Sequence, residues 1–297
     1  MKILFVHDHS IGNNYLRQAM QYIDPREAEV VSVRLSAYPE FDDSGFDCLI
    51  YNTFPDEFHP GKFKINLIRI TDKKFWKFKG KTLLFDSHDE GSKDAFTRFK
   101  DNFYYFSSRK VPRIKTVPCY DDDRNNVISV PFAVDKRIMD DSRPRTIPLM
   151  YCSGLDGYPH NIRRQVFDIL KPFKPLASRL TFNDYVTAIK GTSISVVAPG
   201  YGTACVVHYE ALAAGAMLLA HESIRNTKLL PFADLVEGEH YVLYNVDNLA
   251  AKLSILMIRP EYVARVAKAG NEIFKQGYDL KRTADQVLNY FKQERKT

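Results

Sequence analysis

Ser195-Val-Val-Ala-Pro-Gly200-Tyr-Gly-Thr-Ala-Cys205-Val-Val-His-Tyr-Glu210-Ala-Leu-Ala-Ala-Gly215-Ala-Met-Leu-Leu-Ala220-His-Glu222 is the stretch whose reading decides the fold. The apolar run from Ile194 to Ala198 predicts a buried strand, and Pro199-Gly200-Tyr201-Gly202 breaks it. Thr203 is placed to cap a helix, since its hydroxyl can accept from an amide of the first turn. That helix is expected to run through Glu210 and stop at Gly215, with Ala216–Ala220 as the next strand. A strand, glycine loop, helix and strand in this order aim a helix N-terminus, with its free amides and positive dipole end, at an anion. Counted from a cap at Thr203, Glu210 lies about two turns in. That is too deep to touch the same phosphate, and it suits a neutral polyol further along the ligand.

Composition bounds the rest. A chain of 297 residues suggests two domains, each with its own core. A hydrophobic content of 45% with 26% charged residues is ordinary for a globular protein. No apolar run is long enough for a transmembrane helix, and the chain opens on the strand-like Lys2–Val6 without signal-peptide architecture. The four cysteines (Cys48, Cys119, Cys152, Cys205) have no metal-ligand spacing. A reducing cytoplasm is therefore the expected compartment. The net charge of +6 mildly favours anionic partners.

The spacing of the organising stretch resembles the donor site of GT-B glycosyltransferases, in particular the family-4-like enzymes and the CgeB-like group. The match lies in Glu210-Ala211-Leu212-Ala213-Ala214-Gly215 behind a glycine-rich loop. The resemblance implies that Glu210 holds the ribose of a nucleotide-diphosphate sugar, expected to be a UDP-sugar. It also implies that the amides from Gly200 through Tyr201, Gly202 and Thr203 to Ala204 face the diphosphate. Many relatives carry a sugar-contacting Glu eight residues before the ribose Glu. Here that position is Gly202, so neither the donor sugar nor the stereochemical outcome follows from the resemblance. It further implies an Arg in the first loop and helix of the second domain, with Arg163 and Arg164 as candidates and Gly154 allowing close backbone approach.

The fold class expected is α/β, two Rossmann-like domains facing a cleft in the GT-B manner. The boundaries are an acceptor-side domain over residues 1–143, a nucleotide-sugar domain over 144–278, and a terminal helix over 279–297 that packs back toward the first. The linker reading rests on Pro144 and Pro148 among charged residues. In the first domain, strands are expected at Lys2–His7, Glu29–Leu35, Phe46–Thr53, Thr82–Phe85, Phe103–Ser107 and Val127–Ala133. Helices are expected at Tyr15–Ile23 and Asp94–Asn102. Leu149–Cys152 is expected to start the second sheet, and helices follow at His160–Leu170, Phe182–Lys190, Val246–Ile258, Glu261–Gln276 and Leu280–Lys292.

Ligands bind at the carboxyl edge of open α/β sheets, which makes His7, Asp8 and His9 candidates for the acceptor side. Residues 62–81 hold eight cations against Asp72, with Phe63, Phe75, Trp76 and Phe78 interleaved. Lys73, Lys74, Trp76 and Lys77 could grip phosphates or stack a base, or form a solvated surface with inward aromatics. Asp86, His88 and Asp89 end a strand and are candidates for the base that deprotonates the acceptor. Their place is similar to the strand-end Asp of phage DNA β-glucosyltransferases, with Asp86 the best match. A turn cluster capping the next helix is the other reading. Asp121-Asp122-Asp123 reads as a polar turn, so no metal is expected.

The expected activity is transfer of a sugar to an acceptor hydroxyl, with a hydroxymethylated DNA base narrowly ahead of a bacterial or viral glycan. A non-catalytic sugar-nucleotide or glycan-binding protein is the competing class. An epimerase-type dinucleotide enzyme is disfavoured, because His7-Asp-His-Ser-Ile-Gly12 is no Gly-x-Gly-x-x-Gly loop.

Overall fold

The computed structural model describes residues 1–7, 11–34, 37–52, 77–86, 113–116, 127–139, 143–153, 161–200 and 203–293. Among these, residues up to Ala133 together with those from Asp279 onward form one compact unit, and Val134–Tyr278 form the other.

The first unit is built on β1 (Lys2–His7), α1 (Ile11–Met20), β2 (Glu29–Arg34), β3 (Cys48–Asn52), β4 (Lys81–Asp86), β5 (Arg113–Thr116) and β6 (Val127–Val130). Its six strands are parallel in the order β2-β1-β3-β4-β5-β6. Ile3 through Val6 are wholly buried, as expected of a strand covered on both faces. Leu4, Val6, Leu49, Tyr38 and Tyr51 join one core cluster. The sequence reading missed β5. Arg113-Ile-Lys-Thr116 offers only Ile114 to a hydrophobic pattern, and that residue is fully buried in the strand. The helix expected at Asp94–Asn102 and the strand at Phe103–Ser107 lie outside the described residues, as does Asp121-Asp122-Asp123.

The second unit follows the chain as β7 (Ile147–Met150), α2 (Asn161–Leu170), α3 (Phe182–Lys190), β8 (Thr192–Val197), α4 (Val206–Ala213), β9 (Met217–His221), β10 (Val242–Tyr244), α5 (Leu249–Met257) and α6 (Pro260–Gly277). The sheet is parallel in the order β10-β9-β8-β7. Leu176 extends its edge: its amide donates to Leu149 O and its carbonyl accepts from the Tyr151 amide, both at 2.9 Å. Helix α4 is buried on all sides from His208 to Ala213, which its apolar circumference requires. Leu149, Val166, Ile194, Leu219, Leu253 and Val266 tie both layers into one core.

The last helix, α7 (Leu280–Lys292), belongs to the first unit. Asp279 caps it by accepting from the Arg282 amide at 2.9 Å. Thr283, Ala284, Val287, Leu288 and Phe291 form its buried stripe. Thr283 meets the Tyr15 hydroxyl of α1 at 3.0 Å, and Lys81 Nζ donates to Phe291 O at 2.9 Å.

Candidate functional site

The carboxyl end of β8 runs through buried Ala198 into Pro199 and Gly200. Arg163, on the first turn of α2, lies across this point and donates from Nε to Pro199 O at 2.8 Å. A Cβ added at Gly200 would come within 2.8 Å of Arg163 Nη2, so the glycine makes room for the guanidinium. Tyr151, just past β7, donates from its hydroxyl to Arg163 O at 2.9 Å and so seats the helix start. The two arginines left open by the sequence have different surroundings. Arg163 is half-buried against the loop, whereas Arg164 is exposed, because adjacent helical residues do not share a face.

The helix begins later than the sequence reading placed it. Thr203 is not the cap; its hydroxyl lies 3.0 Å from that of buried Thr227. Cys205 occupies the cap position, and its amide donates to Nδ1 of His208 at 3.0 Å. An imidazole that accepts at Nδ1 carries its proton on Nε2 when neutral. His208 is fully buried, and burial drives its pKa down to about 4, with the nearby Arg163 charge acting in the same direction. Its Nε2 has no hydrogen-bond partner among the described residues. The first turn of α4 thus lies near enough to Arg163 for its charge to act on His208, and a helix start beside a guanidinium is suited to a phosphate.

With the cap at Cys205, Glu210 lies about one and a half turns into α4, closer to the loop than a Thr203 cap implies. Its side chain is nearly buried (7% exposed). Tyr185 of α3 donates to its Oε2 at 2.5 Å. Burial lifts the Glu210 carboxyl above its ordinary value, outweighing the Tyr185 bond, and Asp135 adds to the rise. Tyr185 itself is pushed far upward by burial and then by the Glu210 charge. The Cys152 thiol rises to about 11 for the same two reasons. A desolvated carboxylate with one fixed donor can accept hydroxyls of a neutral polyol more strongly than a solvated one would.

The tail of α4 is held as firmly. Asn271 Nδ2 donates to Leu212 O at 2.8 Å and to Ala213 O at 2.9 Å, and Arg145 Nη2 donates to Ala214 O at 2.6 Å. Gly215 follows with φ 69°, the left-handed conformation that closes a helix.

Of the expected donor-side residues, Arg163 and Gly200 meet at the carboxyl end of β8, while Thr203 and Ala204 precede α4 and Glu210 lies within it. In the first unit, His7 ends β1 at 5% exposure, with its ring 5.2 Å from that of Phe5. Asp86 ends β4, where its backbone pairs with Lys115. Both mark the carboxyl edge of that sheet. Lys77 is exposed. Asp8, His9, Lys73, Lys74, Trp76, His88, Asp89, Gly154, Tyr201 and Gly202 lie outside the described residues. The sequence reading missed Tyr185, His208 and Cys205. A His three residues after a polar cap position was the one available signal, as the counterpart of a capping box. Among the described residues, no group of three or more His, Cys, Asp or Glu could hold a metal, and no helix is long and apolar enough to cross a membrane.

No protein-family model matches the chain, and no curated protein does. Solved structures do. A glycosyltransferase from Rickettsia africae is similar at TM-score 0.62 and 9% identity, over 98% of this chain and 97% of its own. Anabaena HepE in complex with UDP is similar at TM-score 0.63 and 12% identity, over 98% of this chain and 99% of its own. An alpha-glucosyltransferase in complex with UDP-glucose and DNA containing an abasic site is similar at TM-score 0.60 and 10% identity, over 99% of this chain and 100% of its own. With two parallel α/β sheets and these neighbours, the fold is GT-B.

Proposed function

We propose that the chain is a glycosyltransferase that moves a sugar from a UDP-sugar to an acceptor hydroxyl. The observation that carries this reading is Arg163 fixed over Gly200 at the mouth of α4, with buried Glu210 further along the same helix. In this reading the α4 amides and Arg163 bind the diphosphate, and Glu210 accepts from the ribose hydroxyls. The acceptor oxygen bonds to the anomeric carbon as the bond from that carbon to the phosphate oxygen breaks. The leaving diphosphate takes the electron pair, and its charge is met by Arg163. The acceptor proton passes to a base, with Asp86, His88 and Asp89 as candidates. Each donor aimed at developing charge in this way contributes about 3–4 kcal/mol. UDP and UDP-glucose in the neighbours' complexes support the nucleotide. The thiols of Cys48 and Cys152, which form no disulfide, suit a reducing cytoplasm.

Calorimetry with UDP tests the donor site. Glu210→Ala should weaken binding about ten- to a hundredfold, the cost of about 1.5–3 kcal/mol for hydrogen bonds to a charged group. Unchanged affinity would overturn the assignment.

For the acceptor, a hydroxymethylated base in duplex DNA leads. Its support is the likeness to the DNA-bound alpha-glucosyltransferase, the net charge of +6 and the basic run of residues 62–81. The base would have to leave the stack to be reached. DNA affinity should fall with salt at a log-log slope near −0.9 per phosphate neutralised. A Lys73→Ala, Lys74→Ala, Lys77→Ala variant should flatten that slope. Weak binding indifferent to those lysines would leave a glycan as the acceptor.

A further inference from the structure

Helix α5 is apolar around its circumference but is covered on only one side. Leu249, Leu253 and Leu256 are buried, while Ala250, Ala251, Ser254 and Ile255 face solvent. Its one charged residue, Lys252, donates from Nζ to Leu243 O at 2.5 Å, and the Ser254 hydroxyl donates to Ala250 O at 3.0 Å. Ile255 is 49% exposed, and Met257 and Ile258 just after it are 40% and 77% exposed. The other exposed large apolar side chains of the described residues, Met1, Tyr22, Phe182 and Val236, are scattered along the chain, and such single residues are ordinary. A helix open to water normally carries charge on its open side. Grouped apolar exposure marks an interaction surface instead.

Opposite charges mark the two ends of this face. Asp247 precedes α5 and Arg259 follows it, and both are exposed. Among the described residues neither side chain has a hydrogen bond or ion pair. Glu261, two residues beyond Arg259, does not pair with it either, and its place in the first turn of α6 suits the positive end of that helix. An apolar face with an acid at one end and a base at the other complements its own image turned about a two-fold axis. It does not match an anionic membrane, which draws clusters of basic residues.

We propose that the open face of α5 docks a second copy of this chain, α5 against α5, antiparallel about a two-fold axis. Ile255 and Ile258 of each copy pack on the other, where Ala250, Ala251 and Ser254 let the helices approach closely. Asp247 of one copy meets Arg259 of the other, and the symmetry makes the pair twice. A face about three turns long lies at the small end of interfaces, below about 1,200 Å² in total, so the dimer is weak and depends on concentration. The proposal is independent of the donor-site reading, whose residues it does not use.

Sedimentation equilibrium of the full chain, from micromolar to millimolar concentration, decides it. Wild type should pass from monomer to dimer with no larger species. Ile255→Glu with Ile258→Glu, both at exposed positions, should stay monomeric, with the melting temperature reporting that the variant is folded. Asp247→Arg alone and Arg259→Asp alone each oppose like charges, and each should weaken the dimer about tenfold. Both substitutions in one chain should restore association, and so should an equal mixture of the two single variants. A wild type that stays monomeric throughout would overturn the proposal. A dimer that survives the isoleucine substitutions would do the same, as would charge reversals without rescue. Flotation of monomeric wild type with phosphatidylglycerol vesicles would give the face to a membrane instead.

Discussion

Tyr185 donates its phenolic proton to Oε2 of Glu210 at 2.5 Å, joining α3 to α4 inside the second unit. The bond selects the ionised carboxylate in surroundings that otherwise favour the protonated acid. The bond offsets part of the rise that burial imposes on Glu210.

Removing that phenol should be visible in the pH dependence of nucleotide binding. Tyr185→Phe takes away the one influence that lowers the Glu210 carboxyl, so the group rises further. Uridine binding, read by calorimetry to avoid the titration of phosphate, should weaken and require a higher pH to reach its plateau than in wild type. A pH profile superimposable on wild type would show that Tyr185 does not tune Glu210.

Gly200 and Arg163 should behave as one unit. A Cβ at Gly200 meets only the far end of the arginine, which can swing away, so Gly200→Ala should barely change stability. It should still weaken UDP binding by displacing the guanidinium from Pro199 O. Because Arg163→Ala removes the same group, the double variant should lose little more than either single one in a double-mutant cycle. Additive losses would separate the two residues.

Acid stability should show two opposed contributions. His208 has its pKa depressed from an ordinary 6.5 to about 4. Between those values the unfolded chain binds more protons, so stability falls as pH drops through that window, by about 3 kcal/mol at most. Glu210 acts in the other direction. Its pKa is raised above the ordinary 4.5, so its contribution is present below that value and is lost as pH rises through the folded pKa. Urea melts from pH 4 to 7 should show a shallower acid loss for His208→Gln and a steeper rise with pH for Glu210→Gln. Identical profiles for the variants and wild type would remove both groups from the account.

Two glycines of the second unit should separate cleanly under substitution. A Cβ at Gly270 would lie 2.4 Å from the backbone oxygen of His240 and 3.1 Å from Leu212 Cδ2. Gly270→Ala should therefore cost about 1–3 kcal/mol. At Gly191 the nearest atoms are 3.6 Å away, ordinary contact, and Gly191→Ala should stay within about 0.5 kcal/mol of wild type. Denaturant midpoints measure both, and equal costs would contradict the packing described for α6.

The fold was legible where local pattern and tertiary role coincide. Apolar runs bounded by glycine marked both strands around the organising loop, observed as Thr192–Val197 and Met217–His221. The stripe of α7 was equally plain, since it repeats every three to four residues. Legibility failed where one local rule offered several claimants. Thr203 is a better intrinsic cap than Cys205, but a histidine on the first turn reaches back to the Cys205 amide, while Thr203 is occupied by Thr227. Tyr185 carries no local mark at all. Its importance comes from the approach of α3 to α4, which only the folded chain brings about. Arg163 was named with Arg164 as an equal, and only the facing of α2 toward the loop distinguishes them.

The placement of α7 has a consequence for synthesis. Among the described residues the second unit is one uninterrupted stretch of chain, whereas the first is closed by a helix made after that stretch. On the ribosome, where domains form as their residues emerge, the sheet holding β1 must wait with the surface of Tyr15 uncovered until Thr283 and its stripe arrive. The half translated first is therefore the half completed last.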